Sequence, residues 1–128
     1  QGVEFELSRK ANEHFNYFMN YTYLDVGDMT RWSSEHKGNV GVSYKNRQMK
    51  ASLMQQYVGT SYDEDLKTNP NAAKIDAYSI TNLKVTYTPS EQYEMSLGVE
   101  NLFNRYYETY RYDPMPGRAY TISLTSRF

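Results

Sequence analysis

The 128-residue chain contains no cysteine, so it cannot form a disulfide and has no thiolate for catalysis or metal binding. Its formal net charge is only −1 at pH 7, which argues against the basic surface that nucleic-acid binding requires. No apolar run approaches the roughly 20 residues of a membrane-spanning helix, and the mean hydropathy is −0.82. A signal peptide is also missing and the chain begins with Gln1, so we expect a processed or incomplete polypeptide.

Tyrosine is the abundant aromatic residue, with 14 copies against five phenylalanines and one tryptophan. A soluble domain with so few aliphatic side chains would have difficulty building a core. A barrel wall has an easier task, because its outer band faces lipid and its inner face can stay polar. Tyrosine also suits the membrane interface, where the ring lies among acyl chains and the hydroxyl among head groups. The composition therefore favours a wall of membrane-embedded strands.

Seven segments alternate between apolar and polar residues with the period of two that is typical of β-strands, and almost nothing has helical period. In the last segment, Tyr120, Ile122, Leu124 and Phe128 lie on one face, opposite small or polar residues. One apolar face and one polar face indicate a strand that lies between lipid and a hydrated interior. The predicted strands are residues 2–10, 14–24, 35–45, 48–59, 76–88, 93–101 and 118–128.

The fifth predicted strand changes phase along its length. Tyr78 and Ile80 are apolar at even positions, whereas Leu83, Val85 and Tyr87 are apolar at odd positions. Because a strand shows one face at every second residue, we expect either a β-bulge or a strand that leaves the bilayer here.

The connections between the predicted strands alternate in length. Outer-membrane barrels show this asymmetry, with tight periplasmic turns and longer outer loops, so we expect a periplasmic C-terminus. A single-chain bacterial barrel has an even number of strands, whereas seven is odd, so we expect the C-terminal wall of a larger barrel. The short connections are residues 11–13, 46–47 and 89–92, and the long ones are residues 25–34, 60–75 and 105–117.

Two stretches near the C-terminus carry a resemblance to a known family. Residues 98–107, GVENLFNRYY, resemble the penultimate-strand motif of TonB-dependent outer-membrane receptors. Pro116-Gly117-Arg118, followed by the last strand and Phe128, resembles the family's C-terminal signature, although Ser126 stands where the family usually has an aromatic residue. The resemblance implies an all-β, antiparallel transmembrane barrel of about 22 strands. Residues 1–128 would be about seven of its C-terminal strands, without the plug domain or the N-terminal strands.

The resemblance also implies a function for the parent assembly, which is import of a scarce ligand with energy from TonB. The ligand would be a ferric siderophore, haem or cobalamin, and the receptor would lie in the bacterial outer membrane. Implied partners are the remaining barrel and its plug domain, TonB, outer-membrane lipid and the barrel-assembly machinery. No cofactor and no nucleic acid are implied.

Other functions remain open from the residues alone. One is a passive porin or structural outer-membrane barrel without energy coupling, and another is a soluble β-sandwich binding module. We find no nucleophile–base set and no phosphate-binding loop, so we do not expect an enzyme. The acidic run at residues 63–65 lacks the spacing of a calcium loop and His14 and His36 are far apart, so we predict no metal site.

A cluster of aromatic and cationic residues in the predicted loop 105–117 is the candidate ligand-binding site. Such side chains stack on flat or hydrophobic ligands and offer phenolic hydrogen bonds, although an interface belt with loop packing would use the same residues. The cluster consists of Tyr106, Tyr107, Tyr110, Arg111 and Tyr112.

A second set is expected to have structural or assembly roles. We expect Arg118 to form an ion pair with an inward carboxylate such as Glu100; the alternative is that its guanidinium bridges loops or contacts an anionic ligand. We expect Asn101 to hydrogen-bond loop backbone. Phe128 is expected to be an assembly signal or an ordinary interface aromatic. The set consists of Asn101, Leu102, Phe103, Pro116, Gly117, Arg118 and Phe128.

Overall fold

The computed structural model describes residues 1–27 and 33–127, and in that part of the chain every regular element is a β-strand. Seven long strands form one sheet in which each strand pairs antiparallel with the next long strand along the chain, which confirms the predicted fold class. Two short hairpins lie within the long connections. The sheet consists of β1 (Gly2–Lys10), β2 (Phe15–Leu24), β3 (His36–Lys45), β4 (Met49–Val58), β7 (Tyr78–Ser90), β8 (Tyr93–Glu100) and β11 (Ala119–Ser126). The hairpins pair β5 (Ser61–Tyr62) with β6 (Lys74–Ile75) and β9 (Glu108–Tyr110) with β10 (Asp113–Pro114).

Most apolar side chains of the seven strands lie on one face of the sheet, which we call the outer face. Paired residues point to the same side, and Phe5 pairs with Tyr21 at one edge while Leu97 pairs with Ile122 at the other. The outer face is uncovered: Phe5 is 53% exposed and Ile122 80% exposed. No second sheet packs on it within the described residues, so the β-sandwich alternative is wrong.

The opposite, inner face is polar. Asn39 Nδ2 donates to Asn20 Oδ1 over 3.0 Å between β3 and β2, and the hydroxyls of Ser96 and Ser123 hydrogen-bond between β8 and β11. The inward residues of β2 and β8 are mostly half-buried while their outward neighbours are mostly exposed. This difference indicates that the sheet curls toward its polar face, as a barrel wall does.

Asparagine side chains form two of the short turns. Asn12 Oδ1 accepts hydrogen bonds from the backbone N–H groups of His14 and Phe15, over 2.8 and 2.9 Å. Asn46 Oδ1 does the same over 2.9 and 2.8 Å at the next turn on that side. Asparagine favours this local side-chain-to-backbone bonding, which fixes the turn without a longer loop.

The third short turn differs from its predicted bounds. β7 continues through Pro89 to Ser90, so only Glu91 and Gln92 separate it from β8. The register with β8 shifts between Tyr87 and Ser90. A bulge at this position accommodates Pro89, which has no N–H for the ladder.

The phase change earlier in β7 is not a bulge. The register with β4 runs unbroken from Tyr78 to Tyr87, so that part of the prediction is wrong. Ile80 points to the inner face and is only 5% exposed. The chain after β8 lies against this end of β7, with the Leu102 N–H donating to the carbonyl of Thr81 over 2.7 Å. Ile80 is apolar at this inward position because protein, rather than water, covers it. The alternative, a strand that leaves the bilayer, stays a prediction.

Candidate functional site

The candidate site lies where two of the long connections meet, at the end of the sheet opposite the short turns. The β9–β10 hairpin contacts β6 there. Between the two connections is a cleft of about 240 Å³, which we call the loop cleft. It is lined by Lys74, Asp76, Ala77, Tyr78, Tyr106, Tyr107, Glu108, Arg111 and Tyr112.

The tip of the β9–β10 hairpin presents a cation and an aromatic ring together. Tyr110 pairs with Asp113, which leaves Arg111 and Tyr112 at the turn. The Arg111 guanidinium carbon lies 4.5 Å from the centroid of the Tyr112 ring, and its Nη2 donates to the Tyr112 hydroxyl over 2.8 Å. This hydrogen bond raises the pKa of Arg111 above its ordinary value, so the guanidinium stays charged.

Tyr112 holds this position at a conformational cost. Its φ is +63°, in the left-handed region that bulky side chains rarely adopt. Its ring is nevertheless 80% exposed, so no packing explains the conformation. The turn between the paired Tyr110 and Asp113 imposes this conformation, and residues in such sparsely populated conformations cluster at functional sites.

The two tyrosines before the hairpin have different surroundings. Tyr106 is 73% exposed, and its hydroxyl donates to Glu108 Oε1 over 2.5 Å. That hydrogen bond, together with desolvation and the charge of Glu108, raises the pKa of Tyr106. Tyr107 is half-buried, and its ring packs against that of Tyr78 with centroids 4.6 Å apart. Tyr107 therefore anchors the loop to β7, while Tyr106 faces the opening.

The structure brings together four of the five residues in the predicted cluster: Tyr106, Tyr107, Arg111 and Tyr112. Tyr110 does not line the loop cleft. Four further polar residues of the lining, Lys74, Asp76, Tyr78 and Glu108, are not among those predicted from the sequence. For Tyr78, the change of phase in β7 was a usable signal. Lys74 and Glu108 lie in strands of two and three residues and Asp76 lies between strands, so no periodicity in the sequence would place these three.

The second predicted set surrounds the connection from β8 to β11, which we call the β8–β11 junction. Asn101 is 2% exposed and has a φ of +53°, a conformation that asparagine tolerates well. Its Nδ2 donates to the carbonyl of Arg105 over 2.7 Å, and its Oδ1 accepts from the Arg105 N–H over 2.8 Å. These are the bonds to loop backbone expected of Asn101.

Arg118 differs from its prediction. Its Nε donates to the carbonyl of Leu102 over 2.8 Å, and the ion pair expected with Glu100 is not formed in the part of the chain that the structure describes. The reason is the register: Ala119 pairs with Glu100. Because side chains alternate along a strand, Arg118 points away from the inner face that Glu100 occupies.

The remaining members of the set have different surroundings. Asn104 Oδ1 accepts from the Arg118 N–H over 2.9 Å, and a Cβ on Gly117 would overlap this oxygen. Phe103 is 65% exposed, and Pro116 is exposed as well. Phe128 lies outside the described residues. The junction thus joins β7, the 101–105 turn and the start of β11 through backbone-directed hydrogen bonds.

A single antiparallel sheet with one apolar exposed face, one polar face and long connections at one end is a wall of a transmembrane β-barrel. Residues 1–102 match the profile of the family described as TonB dependent receptor-like, beta-barrel. The chain belongs to this family, whose members are bacterial outer-membrane β-barrels.

Several relatives are similar to the chain over most of its length. It is 32% identical over 94 residues to the vitamin B12 transporter BtuB of Vibrio cholerae, covering 73% of the chain and 15% of that protein. It is 29% identical over 120 residues to BtuB of Photobacterium profundum, covering 86% of the chain and 18% of that protein. The chain therefore spans less than a fifth of the length of these relatives.

Solved structures have the same fold at lower identity. The ferric enterobactin receptor PfeA of Pseudomonas aeruginosa superposes with a TM-score of 0.80 at 17% identity, over 99% of the chain and 22% of that receptor. The siderophore receptor PiuA of Acinetobacter baumannii gives a TM-score of 0.77 at 17% identity, over 98% of the chain and 21% of that receptor. This likeness concerns the fold alone.

Proposed function

We propose that the chain is the C-terminal barrel segment of an outer-membrane receptor that binds a scarce ligand and imports it with energy supplied by TonB. Membership of the TonB-dependent receptor-like family is the observation that carries this proposal. The ligand belongs to the class of ferric siderophores, haem and cobalamin. The relatives at 29–32% identity are vitamin B12 transporters, so cobalamin is the first probe.

The segment forms part of the wall of the receptor barrel. Each face of this wall contacts a different partner. The outer face contacts lipid of the outer membrane, while the polar inner face contacts the plug domain of the receptor. The backbone edges of β1 and β11 pair with the remaining barrel strands, because an open edge is not tolerated in a bilayer. The barrel-assembly machinery inserts the whole barrel, and TonB acts on parts of the receptor outside these residues.

The orientation follows from the connections. Tight turns in outer-membrane barrels face the periplasm, so the C-terminus is periplasmic and the loop cleft faces outward. The exposed Tyr106 and Tyr112 and the half-buried Arg111 then lie in the vestibule that a ligand enters. Their rings and guanidinium can stack on a flat or hydrophobic ligand.

The test uses the complete receptor in detergent micelles and titrates it with cyanocobalamin in a calorimeter. Tyr112→Ala and Arg111→Ala are each expected to weaken binding about fivefold, because one exposed aromatic or cation contact contributes about 1 kcal/mol. Tyr23→Phe, on the outer face of β2 and three strands away from β7, is the control and should bind normally. Unchanged binding by both loop variants would remove the loop cleft from the proposal.

Transport is measured separately as cobalamin-dependent growth of cells that express the receptor. Growth that requires TonB supports active import. Equal growth without TonB would favour the alternative of a passive porin. Ferric enterobactin is the second probe if cyanocobalamin neither binds nor supports growth.

A further inference from the structure

A second cleft lies at the same end of the sheet as the loop cleft, but it reaches the outer face. Its volume is about 300 Å³, and we call it the rim cleft. Tyr57 of β4 and Ser79 of β7 pair with each other and point outward, like Leu53 and Leu83 further along the same two strands. The rim cleft is lined by Tyr57, Ala77, Tyr78, Ser79, Arg105 and Tyr106.

Tyr57 lies at the edge of the apolar band of the wall. β4 has ten residues, Met49–Val58, and ten residues of about 3.3 Å each, tilted by about 40°, span about 25 Å of membrane thickness. This is the height of the apolar band of an outer-membrane barrel, about 25 Å. Since Tyr57 is the last outward residue of β4, the rim cleft lies at the level of the lipid head groups.

The polarity of the outer face changes at this level. Leu53 pairs with Leu83, but at the next outward position toward the rim cleft Gln55 pairs with Thr81. Gln55 Nε2 donates to Ser79 Oγ over 2.7 Å. An amide and a hydroxyl in contact with hydrocarbon would be costly, because acyl chains offer no hydrogen bonds. These two side chains therefore mark the part of the outer face that meets polar head groups.

Arg105 adds a positive charge to the rim cleft. Its backbone is fixed by Asn101, which bonds to both the N–H and the carbonyl of Arg105, while the residue itself is exposed. Across residues 1–27 and 33–127, no carboxylate lies within ion-pair distance of its guanidinium. Glu108, the nearest acidic residue in sequence, accepts from the Tyr106 hydroxyl instead. The rim cleft therefore has a cation without a counter-charge.

We propose that the rim cleft binds the phosphate group of a membrane lipid, with Arg105 as the cation that contacts the phosphate. A planar guanidinium donates two parallel hydrogen bonds to phosphate oxygens, and the hydroxyl of Tyr57 can donate another. The acyl chains of the same lipid then lie along Leu53 and Leu83. This inference rests on the proposed function, because it needs the outer face in a bilayer.

A lipid fits the rim cleft better than a free phosphate ion. Among its lining residues only Arg105 is charged. One exposed cation holds a small anion weakly in water, whereas acyl chains on the adjoining apolar face add hydrophobic burial to the same contact. Charge complementarity and continuity with the outer face thus point to one occupant, a lipid with a phosphate head group.

The test uses the complete receptor in nonionic detergent micelles and native mass spectrometry, which counts the lipids bound to each receptor. The probes are dioleoyl phosphatidic acid and dioleoylglycerol, which have the same acyl chains but differ in the phosphate. Arg105→Gln should weaken binding of phosphatidic acid about fivefold, the contribution of one cation near an anionic lipid surface, and should leave dioleoylglycerol unaffected. Equal binding of phosphatidic acid to both forms would overturn the proposal.

Arg47→Gln is the matched control. It removes the same charge from an exposed residue, but in the short turn between β3 and β4 at the opposite end of the sheet. Arg105→Gln is expected to fold, because both hydrogen bonds that the structure gives Arg105 use its backbone. An equal loss of phosphatidic acid in the two variants would be an effect of net charge and would contradict the site.

Two other occupants would give different results. If inorganic phosphate binds in a calorimeter only when Arg105 is present, while phosphatidic acid does not bind, the rim cleft holds a free anion. If the native spectrum shows a receptor dimer that Arg105→Gln abolishes, the occupant is a second copy of the receptor. Either result contradicts the proposal.

Titration of the same samples with cyanocobalamin separates this inference from the proposed function. Arg105 does not line the loop cleft, so the Arg105→Gln variant should bind cyanocobalamin normally. Normal cyanocobalamin binding without phosphate-dependent lipid binding overturns the lipid site alone. Phosphate-dependent lipid binding by a receptor that binds neither cyanocobalamin nor ferric enterobactin supports the lipid site and counts against the proposed ligands.

Discussion

Arg118 and Leu102 are joined by a 2.8 Å hydrogen bond from the guanidinium Nε to the carbonyl oxygen. Leu102 also donates its N–H to Thr81 in β7 over 2.7 Å. One short segment after β8 is therefore bonded to both of the strands that flank β8 in the sheet. The motif that resembles the family signature thus has a physical role in this chain, which is to fix the β8–β11 junction.

Asn101 is the most tightly held residue of that junction, and Asn101→Ala should lower the free energy of unfolding of the complete receptor by about 3 kcal/mol. Two hydrogen bonds of about 1 kcal/mol each are lost, and alanine adds a cost of about 1 kcal/mol in the left-handed conformation. Asn101→Gly removes only the hydrogen bonds, so it should be milder by about 1 kcal/mol. Urea unfolding in detergent measures both, and equal losses would contradict the role of the positive φ.

Gly117→Ala should destabilise the junction by about 1 kcal/mol, because the new Cβ displaces Asn104 Oδ1 and breaks its hydrogen bond to the Arg118 N–H. Gly98→Ala is the matched control in the adjacent strand. The nearest atom to a Cβ there is 3.8 Å away, on Thr121. The same unfolding experiment should show Gly98→Ala as nearly neutral, and a larger effect at Gly98 than at Gly117 would refute the steric argument.

Ile122 and Thr121 are neighbours on opposite faces of β11 and test which face meets lipid. Ile122→Arg should cost roughly 2–4 kcal/mol, the range for a cation on the lipid side near the bilayer midplane. Thr121→Arg points to the hydrated inner face and should cost much less. The measurement is the folding free energy of the complete barrel into lipid vesicles. Equal costs at the two positions would argue against membrane burial of the outer face.

The Tyr106–Glu108 contact predicts a pH dependence in the loop cleft. Its hydrogen bond raises the pKa of Tyr106 above the ordinary value of 10.0. The contact is therefore complete below pH 10.0 and is lost as the pH rises through the raised pKa. The phenolate absorbance of the receptor minus that of Tyr106→Phe isolates this titration. Glu108→Gln should lower the pKa of Tyr106 back toward its ordinary value. An unchanged pKa in this variant would show that Glu108 does not cause the shift.

The long strands can be predicted from the sequence because the alternation of apolar and polar residues that marks each strand is a property of consecutive residues. Alternation in residues 2–10 predicts β1 with the bounds that the structure shows. The prediction for residues 93–101 differs from β8 by one residue, because Asn101 turns into the left-handed region and ends the strand. The β5–β6 and β9–β10 hairpins escaped detection because strands of two or three residues are too short to show a period.

The sites were less readable because they depend on which strands meet and in what register. Arg118 was assigned a carboxylate partner on the wrong face, since one residue of register decides the side. Lys45 and Lys50 both lie in predicted strands, yet Lys84, 34 residues after Lys50, comes next to them only through the pairing of β7 with β4.

By itself, the sequence determined the strands, their two unlike faces and the family, because a period of two and a short motif are properties of consecutive residues. Only the tertiary structure decided that Tyr106, Arg111 and Tyr112 share a cleft with Tyr78, and that Lys45, Lys50 and Lys84 line another. The physical reason is that hydrogen bonding between distant segments sets the register, and the register selects the neighbours of each side chain.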